Sequence, residues 1–164
     1  MPTSVDIYDT TLRDGSQQEG LSLTVEDKLR VAHQLDHLGV AFIEGGWPGA
    51  NPKDEDFFRR AAAGDLILHT ATLVAFGSTR KAGGRAETDP VLAHLLAAET
   101  PAVCLVAKAS ERHVVDALRT SLTEAVDMVA DSVAFLRSHG RRVFLDAEHF
   151  FDGFRDNPGF SLDV

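Results

Sequence analysis

Short apolar segments alternate with helix-patterned segments along this chain at spacings of about 25 to 35 residues, and that alternation narrows the fold more than any other feature. Each repeat is a strand–helix–strand unit, and successive units of this kind build a parallel sheet. The strand candidates are Val5, Ile7 and Tyr8, then Val40-Ala41-Phe42-Ile43, a third within Leu66 to Ala75, a fourth opened by Pro101 and ending at Lys108, and Val143-Phe144-Leu145. The first helix starts after Thr24, has Asp27 in its first turn and stops at Gly39, with Val25, Leu29, Ala32, Leu35 and Leu38 as its apolar stripe. A short helix is expected from Asp54 to Ala63, and Pro90 opens another that carries Val91, Leu92, Leu95 and Leu96. Leu122 to Leu136 is the clearest amphipathic helix, closed by Gly140, and Asn157-Pro158 marks a further helix start.

Two architectures accept this order, an open doubly wound sheet and part of an eight-stranded barrel. The glycine-rich phosphate fingerprints of the open folds are absent from the sequence. A full barrel takes about 250 residues, so five strands in 164 residues make an incomplete one. The expected fold class is α/β, a partial TIM (β/α)8 barrel of about five parallel strands with intervening helices. Residues 1–164 would be the amino-terminal part of the barrel, truncated after strand five.

In either architecture function collects at the carboxyl ends of the strands, and there the sequence is chemically dense. The first strand runs into Asp9-Thr10-Thr11-Leu12-Arg13-Asp14-Gly15-Ser16-Gln17. An Asp beside an Arg at such an end can bind a hard divalent cation while the guanidinium holds a neighbouring anionic oxygen; the alternative is a surface ion pair capping a loop. The second strand delivers Glu44 to the glycine-rich loop Gly45-Gly46-Trp47-Pro48-Gly49-Ala50-Asn51-Pro52, and the fifth delivers Asp146 and Glu148 before His149-Phe150-Phe151-Asp152-Gly153. Lys108 ends the fourth strand, either as a contact for an anionic group or as a solvated lysine. Phe76-Gly77-Ser78-Thr79-Arg80-Lys81 follows the third as a polar, basic exit loop, a place for phosphate contact. His33 and His37 have a zinc-compatible spacing but no third ligand beside them, so the solvated face of the helix is the better reading.

With 25 acidic against 16 basic residues the formal charge is −9, which argues against nucleic-acid or anionic-membrane surfaces and favours small-molecule partners. Cys104 is the single cysteine and sits in the apolar run Ala102 to Val106, so it reads as a small buried hydrophobe and fits a reducing cytoplasm. No run approaches the roughly 18 to 20 apolar residues of a spanning helix. The start lacks a basic region followed by a hydrophobic one, and export is not expected.

Three of these strand ends, Thr10 to Gln17, Phe42 to Asp54 and Asp146 to Gly153, together resemble the 2-isopropylmalate and homocitrate synthase family of metal-dependent, HMGL-like TIM-barrel acyltransferases, most closely its citramalate-forming branch. The resemblance covers nearly the whole chain in order. It implies condensation of acetyl-CoA with a small 2-keto acid, pyruvate for that branch, to give (R)-citramalate on the route to isoleucine. It also implies a divalent metal (Mg, Mn or Zn) held partly by Asp14. Arg13 would stabilise the enolate or keto oxygen, and Glu148 and Glu44 would divide proton transfer and organisation of the arginine between them. Gln17 would contact substrate or the metal shell, with Lys108 a weaker candidate for binding an anionic group of the substrate. The family's His-x-His metal pair and its carboxyl-terminal regulatory domain have no counterpart among these residues. The isolated chain is therefore expected to be inactive, and the full-length form to be a cytoplasmic homo-oligomer. Relatives that use another keto acid or cleave by retro-aldol chemistry, and a catalytically silent fragment that pairs with another chain, are the alternatives.

Overall fold

The computed structural model describes residues 5–164. Its elements alternate as expected: β1 (Tyr8–Asp9), α1 (Val25–Leu38), β2 (Phe42–Gly46), α2 (Pro52–Arg60), β3 (Thr72–Ser78), α3 (Pro90–Ala97), β4 (Ala102–Lys108), α4 (Glu111–His113), α5 (Leu122–Ser138), β5 (Arg142–Glu148), α6 (Phe150–Asp156) and α7 (Pro158–Asp163). The strands form one sheet in the order β1-β2-β3-β4-β5. β1 and β3 flank β2 in parallel, with Tyr8 opposite Phe42 and Phe42 opposite Thr72. Unbroken sequential order with helical crossovers is the order of a TIM barrel; a doubly wound sheet reverses direction at a switch point. The partial-barrel expectation is therefore met.

The chain divides into two units, Met1–Phe76 with His94–Val103, and Gly77–Ala93 with Cys104–Val164. The first buries Leu12, Leu29, Ile43, Phe57, Phe58 and Val74. In the second, Val114, Ala125 and Phe160 form a cluster flanked by Leu118, Leu122 and Val126. Cys104 is buried, as its apolar setting predicts. Among the described residues no helix is long and apolar enough to cross a membrane.

Helix α1 follows its sequence signals closely. Thr24 and Asp27 form a reciprocal capping box, and Gly39 closes the helix in the left-handed conformation. Other boundaries differ. β1 is shorter than predicted: Val5 and Ile7 are 91% and 58% exposed and lie outside it, so this is no buried strand. The Ile7 carbonyl still accepts the amides of Ala41 and Phe42, so the backbone is tied down although the side chain is not covered. α2 starts earlier than expected, at Pro52, because Asn51 accepts the Asp54 amide and caps it. The turn from Glu111 through Leu118 has no apolar period long enough to predict a helix, and it was not expected.

β3 begins at Thr72, inside the stretch Leu66 to Ala75 expected to contain it, and runs on to Ser78; Asp36 occupies the backbone just before its start. From the last turns of α1 its buried carboxylate accepts the amides of His69, Thr70 and Ala71 at 2.9, 2.8 and 2.7 Å. Backbone donors committed to a side chain cannot also join a sheet. Those bonds, that to Ala71 foremost, hold the Asp36 carboxyl down to about 2 from its ordinary value of 3.8. A depressed carboxyl stabilises the fold above its unfolded-state value, and that stabilisation is lost as pH falls through the folded-state value. Asp36→Ala is expected to cost ~3 kcal/mol at pH 7, since three amides lose a charged acceptor. The gap between parent and variant should narrow as pH falls from about 4 to about 2. Urea denaturation at pH 7 and pH 3 measures both, and a gap independent of pH would contradict the account.

The exit loop of β3 also departs from expectation. Arg80 is buried, with its guanidinium 2.7 Å from both Glu124 and Asp131 and its amide donating to Ser132 Oγ at 2.9 Å. Its donors are used internally by α5, so Arg80 is a structural tie and not a phosphate ligand.

Candidate active site

In the first unit, Arg13 and Glu44 form an ion pair. Glu44 is 1% exposed and lies within β2, not past its end. A buried carboxylate must have partners, and Glu44 has two: Arg13 Nε donates to Oε1 at 2.5 Å and the Tyr8 hydroxyl donates to Oε2 at 2.6 Å. Arg13 is fixed on a second side, because its guanidinium carbon stands 3.9 Å from the centroid of the Phe76 ring. Its Nη1 lies 3.3 Å from Asp14, whose side chain is 65% exposed. The planar cation is thus held edge-on by Glu44 and face-on by Phe76, a geometry no lysine reproduces.

A cavity of about 250 Å³ opens beside this arginine, lined among others by Arg13, Ser16, Gln17, Trp47, Asn51 and Asp54. Gln17 lines the same cavity as Arg13. Gly46 has φ +143, and a Cβ there would stand 2.7 Å from the Asp54 carboxyl carbon, so only glycine lets the β2 exit turn pass over that carboxylate.

In the second unit, Lys108 and Glu148 pair directly through Nζ and Oε2. The backbone sets this contact: the Ala109 amide donates to the Glu148 carbonyl at 3.0 Å, so the ends of β4 and β5 are in register. The Lys108 hydrogen bond, aided by the charges of Lys108, His149 and His113, outweighs partial burial and holds the Glu148 carboxyl below the usual glutamate range. Glu148 is thereby kept as a carboxylate. Neither sequence reading of Lys108 described this role. His149, the next residue, has φ 60, and its ring lies 4.0 Å from that of His113.

Several partners escaped the sequence reading. Tyr8 looked like strand filler, and nothing local tells that its hydroxyl reaches a residue 36 positions away. Lys28 was readable: it falls on the apolar stripe of α1, where a charge requires a partner. That partner is Asp54, at 2.5 Å.

A divalent metal is less well served by these residues. Asp14 offers one exposed carboxylate, but among the described residues no three His, Cys, Asp or Glu side chains come together to hold an ion. The described donor set does not by itself make a metal site, because such ions take six or more oxygens or a four-ligand cage.

Sequential parallel strands with their charged groups at the strand ends define a protein of the barrel class. The chain belongs to the HMGL-like family, whose pattern matches residues 4–155. It is 55% identical over 161 residues to an (R)-citramalate synthase of Streptomyces coelicolor, covering 98% of this chain and 30% of that protein. Homocitrate synthase AksA of Methanopyrus kandleri is 36% identical over 148 residues, 90% of this chain and 34% of that protein. Among solved structures, hydroxymethylglutaryl-CoA lyase from Pseudomonas aeruginosa superposes with a TM-score of 0.66 at 22% identity, over 88% of this chain and 46% of that one. The chain thus spans about a third of the length of the curated relatives it matches.

Proposed function

We propose that this chain is part of the catalytic barrel of an (R)-citramalate synthase, joining acetyl-CoA to pyruvate. The observation that carries the substrate choice is the 55% identity to a citramalate synthase against 36% to a homocitrate synthase. In the reaction a proton leaves the acetyl methyl group for a carboxylate, and the methyl carbon bonds to the keto carbon of pyruvate. The keto oxygen takes up a proton to become hydroxyl, and water cleaves the thioester to release CoA.

The side-chain arrangement supports a division of labour. Arg13 supplies charge-assisted donors to the oxygen on which negative charge develops. Glu44 is buried behind it, bonded through Oε1 to Arg13 and through Oε2 to Tyr8, and serves to orient the guanidinium. Glu148 is assigned proton transfer because, unlike Glu44, it is partly exposed; the Lys108 pairing keeps it ionised, and that pairing must loosen for it to act as a base. Gln17 contacts the substrate. Asp14 would be one ligand of a divalent ion, which would supply polarisation of the keto carbonyl, and further ligands than the described residues offer would be needed to hold it. The same reading makes the full-length protein a cytoplasmic homo-oligomer and the isolated chain inactive.

The test is CoA release from acetyl-CoA and pyruvate with added manganese. The 164-residue chain is assayed alone and mixed with the carboxyl-terminal part of a citramalate synthase. Release is expected in the mixture only. Release with 2-ketoglutarate but not pyruvate would overturn the substrate, and enzyme-like turnover by the chain alone would overturn its dependence on a complement.

A further inference from the structure

The buried pair Lys28–Asp54 lies outside the groups assigned above, yet it connects to them. The Lys28 side chain is 3% exposed and that of Asp54 14%. Burial lowers the Lys28 ammonium from its ordinary value, and the hydrogen bond to Asp54 opposes that. A buried ion pair contributes little to stability over an apolar pair of the same size, so its presence calls for a reason other than holding helices together. What Asp54 does besides pairing supplies one. Its Oδ2 accepts the Trp47 amide at 3.1 Å and the Asn51 side-chain amide at 3.2 Å, so one carboxylate pins both ends of the loop that leaves β2. The Trp47 ring then meets the Phe76 ring edge to face, with centroids 5.5 Å apart. Phe76 in turn carries the Arg13 guanidinium on its face at 3.9 Å.

We infer that Lys28 and Asp54 are positioning residues: through the Trp47 loop and the Phe76 ring they set the plane of the Arg13 guanidinium. Glu44 alone does not do this. The Nε bond to Glu44 and the exposed Nη1 contact with Asp14 hold the guanidinium along its edge, and the Phe76 face fixes its plane about that edge. Lys28 holds the Asp54 carboxylate in position by direct pairing, and Asp54 keeps Trp47 in place.

The inference rests on Arg13 as the reacting cation, so its test reads Arg13 separately from turnover. The readout is hydrogen exchange at the Arg13 Nε–H by NMR, with emission from Trp47, the single tryptophan of the chain, reporting on the loop. Phe76→Leu cuts the last link without touching the ion pair. Lys28→Met/Asp54→Leu removes the pair without leaving a lone buried charge, and Lys28→Met/Asp54→Asn restores an acceptor for the Trp47 amide. Exchange is expected to quicken about tenfold in the first two variants and to return toward the parent rate in the third. The Trp47 emission should shift in Lys28→Met/Asp54→Leu and recover in Lys28→Met/Asp54→Asn. Unchanged exchange in Phe76→Leu, or no recovery in Lys28→Met/Asp54→Asn, would overturn the relay. Should Lys28→Met/Asp54→Leu not fold, Phe76→Leu decides alone. CoA release by the complemented chain separates the two ideas. Lost release with an undisturbed Arg13 sinks the relay, whereas full release with a disturbed Arg13 supports the relay and sinks Arg13 as the reacting cation.

Discussion

Arg13→Lys is expected to lower CoA release by the complemented chain about a thousandfold while leaving it folded. Charge is conserved in this change, so a simple electrostatic role would survive it. What is lost is shape. The guanidinium meets Glu44 along one edge at 2.5 Å, Asp14 at 3.3 Å and the Phe76 face at 3.9 Å, all at once. An ammonium can pair with Glu44, which keeps that buried carboxylate compensated and the fold intact. It cannot also present a planar pair of donors to a developing oxyanion. The fall should therefore appear in kcat and in kcat/KM alike, the sign of an interaction made in the transition state. Steady-state kinetics with far-UV circular dichroism on the same samples decides the matter. A rate within a few fold of the parent would remove the planar fork from the mechanism.

Gly153→Ala should destabilise the second unit by ~3 kcal/mol or more. Helix propensity alone predicts the opposite sign, because alanine in a helix is favoured over glycine by about 1 kcal/mol. Packing reverses it. Gly153 lies in α6, and a Cβ there would stand 2.8 Å from Ser110 Cα and nearer still to the Ala109 carbonyl oxygen. These are backbone atoms, which cannot rotate away as a side-chain tip can. The same Ala109 oxygen accepts the Ser161 hydroxyl at 2.7 Å, and the Ala109 amide bonds to the Glu148 carbonyl. Displacing Ala109 would thus disturb the strand end that carries Lys108 and Glu148. Gly159→Ala is the control, since its added Cβ would meet only Asn157 Oδ1, at 3.7 Å. Urea denaturation that found Gly153→Ala as stable as Gly159→Ala would refute the packing argument.

The order of elements was legible in the residues themselves, because hydrophobic period and capping are local properties. Thr24, Asp27 and Gly39 bound α1 without help from the rest of the chain. Glu148 stands at the end of β5, where a parallel strand presents its functional groups, whereas Glu44 lies inside β2 and is paired there with Arg13. Partners were another matter. That Tyr8 and Phe76 both converge on the Arg13–Glu44 pair, that Lys108 turns to Glu148, and that Arg80 turns inward to Glu124 and Asp131 depends on strand register and helix placement. The point within Leu66 to Ala75 at which β3 starts belongs with these, since a carboxylate more than thirty residues upstream takes the amides just before Thr72. Sequence determined which groups stand at the strand ends; only tertiary structure decided which of them touch, because a hydrogen bond acts over about 3 Å of space and carries no memory of the chain length between its ends.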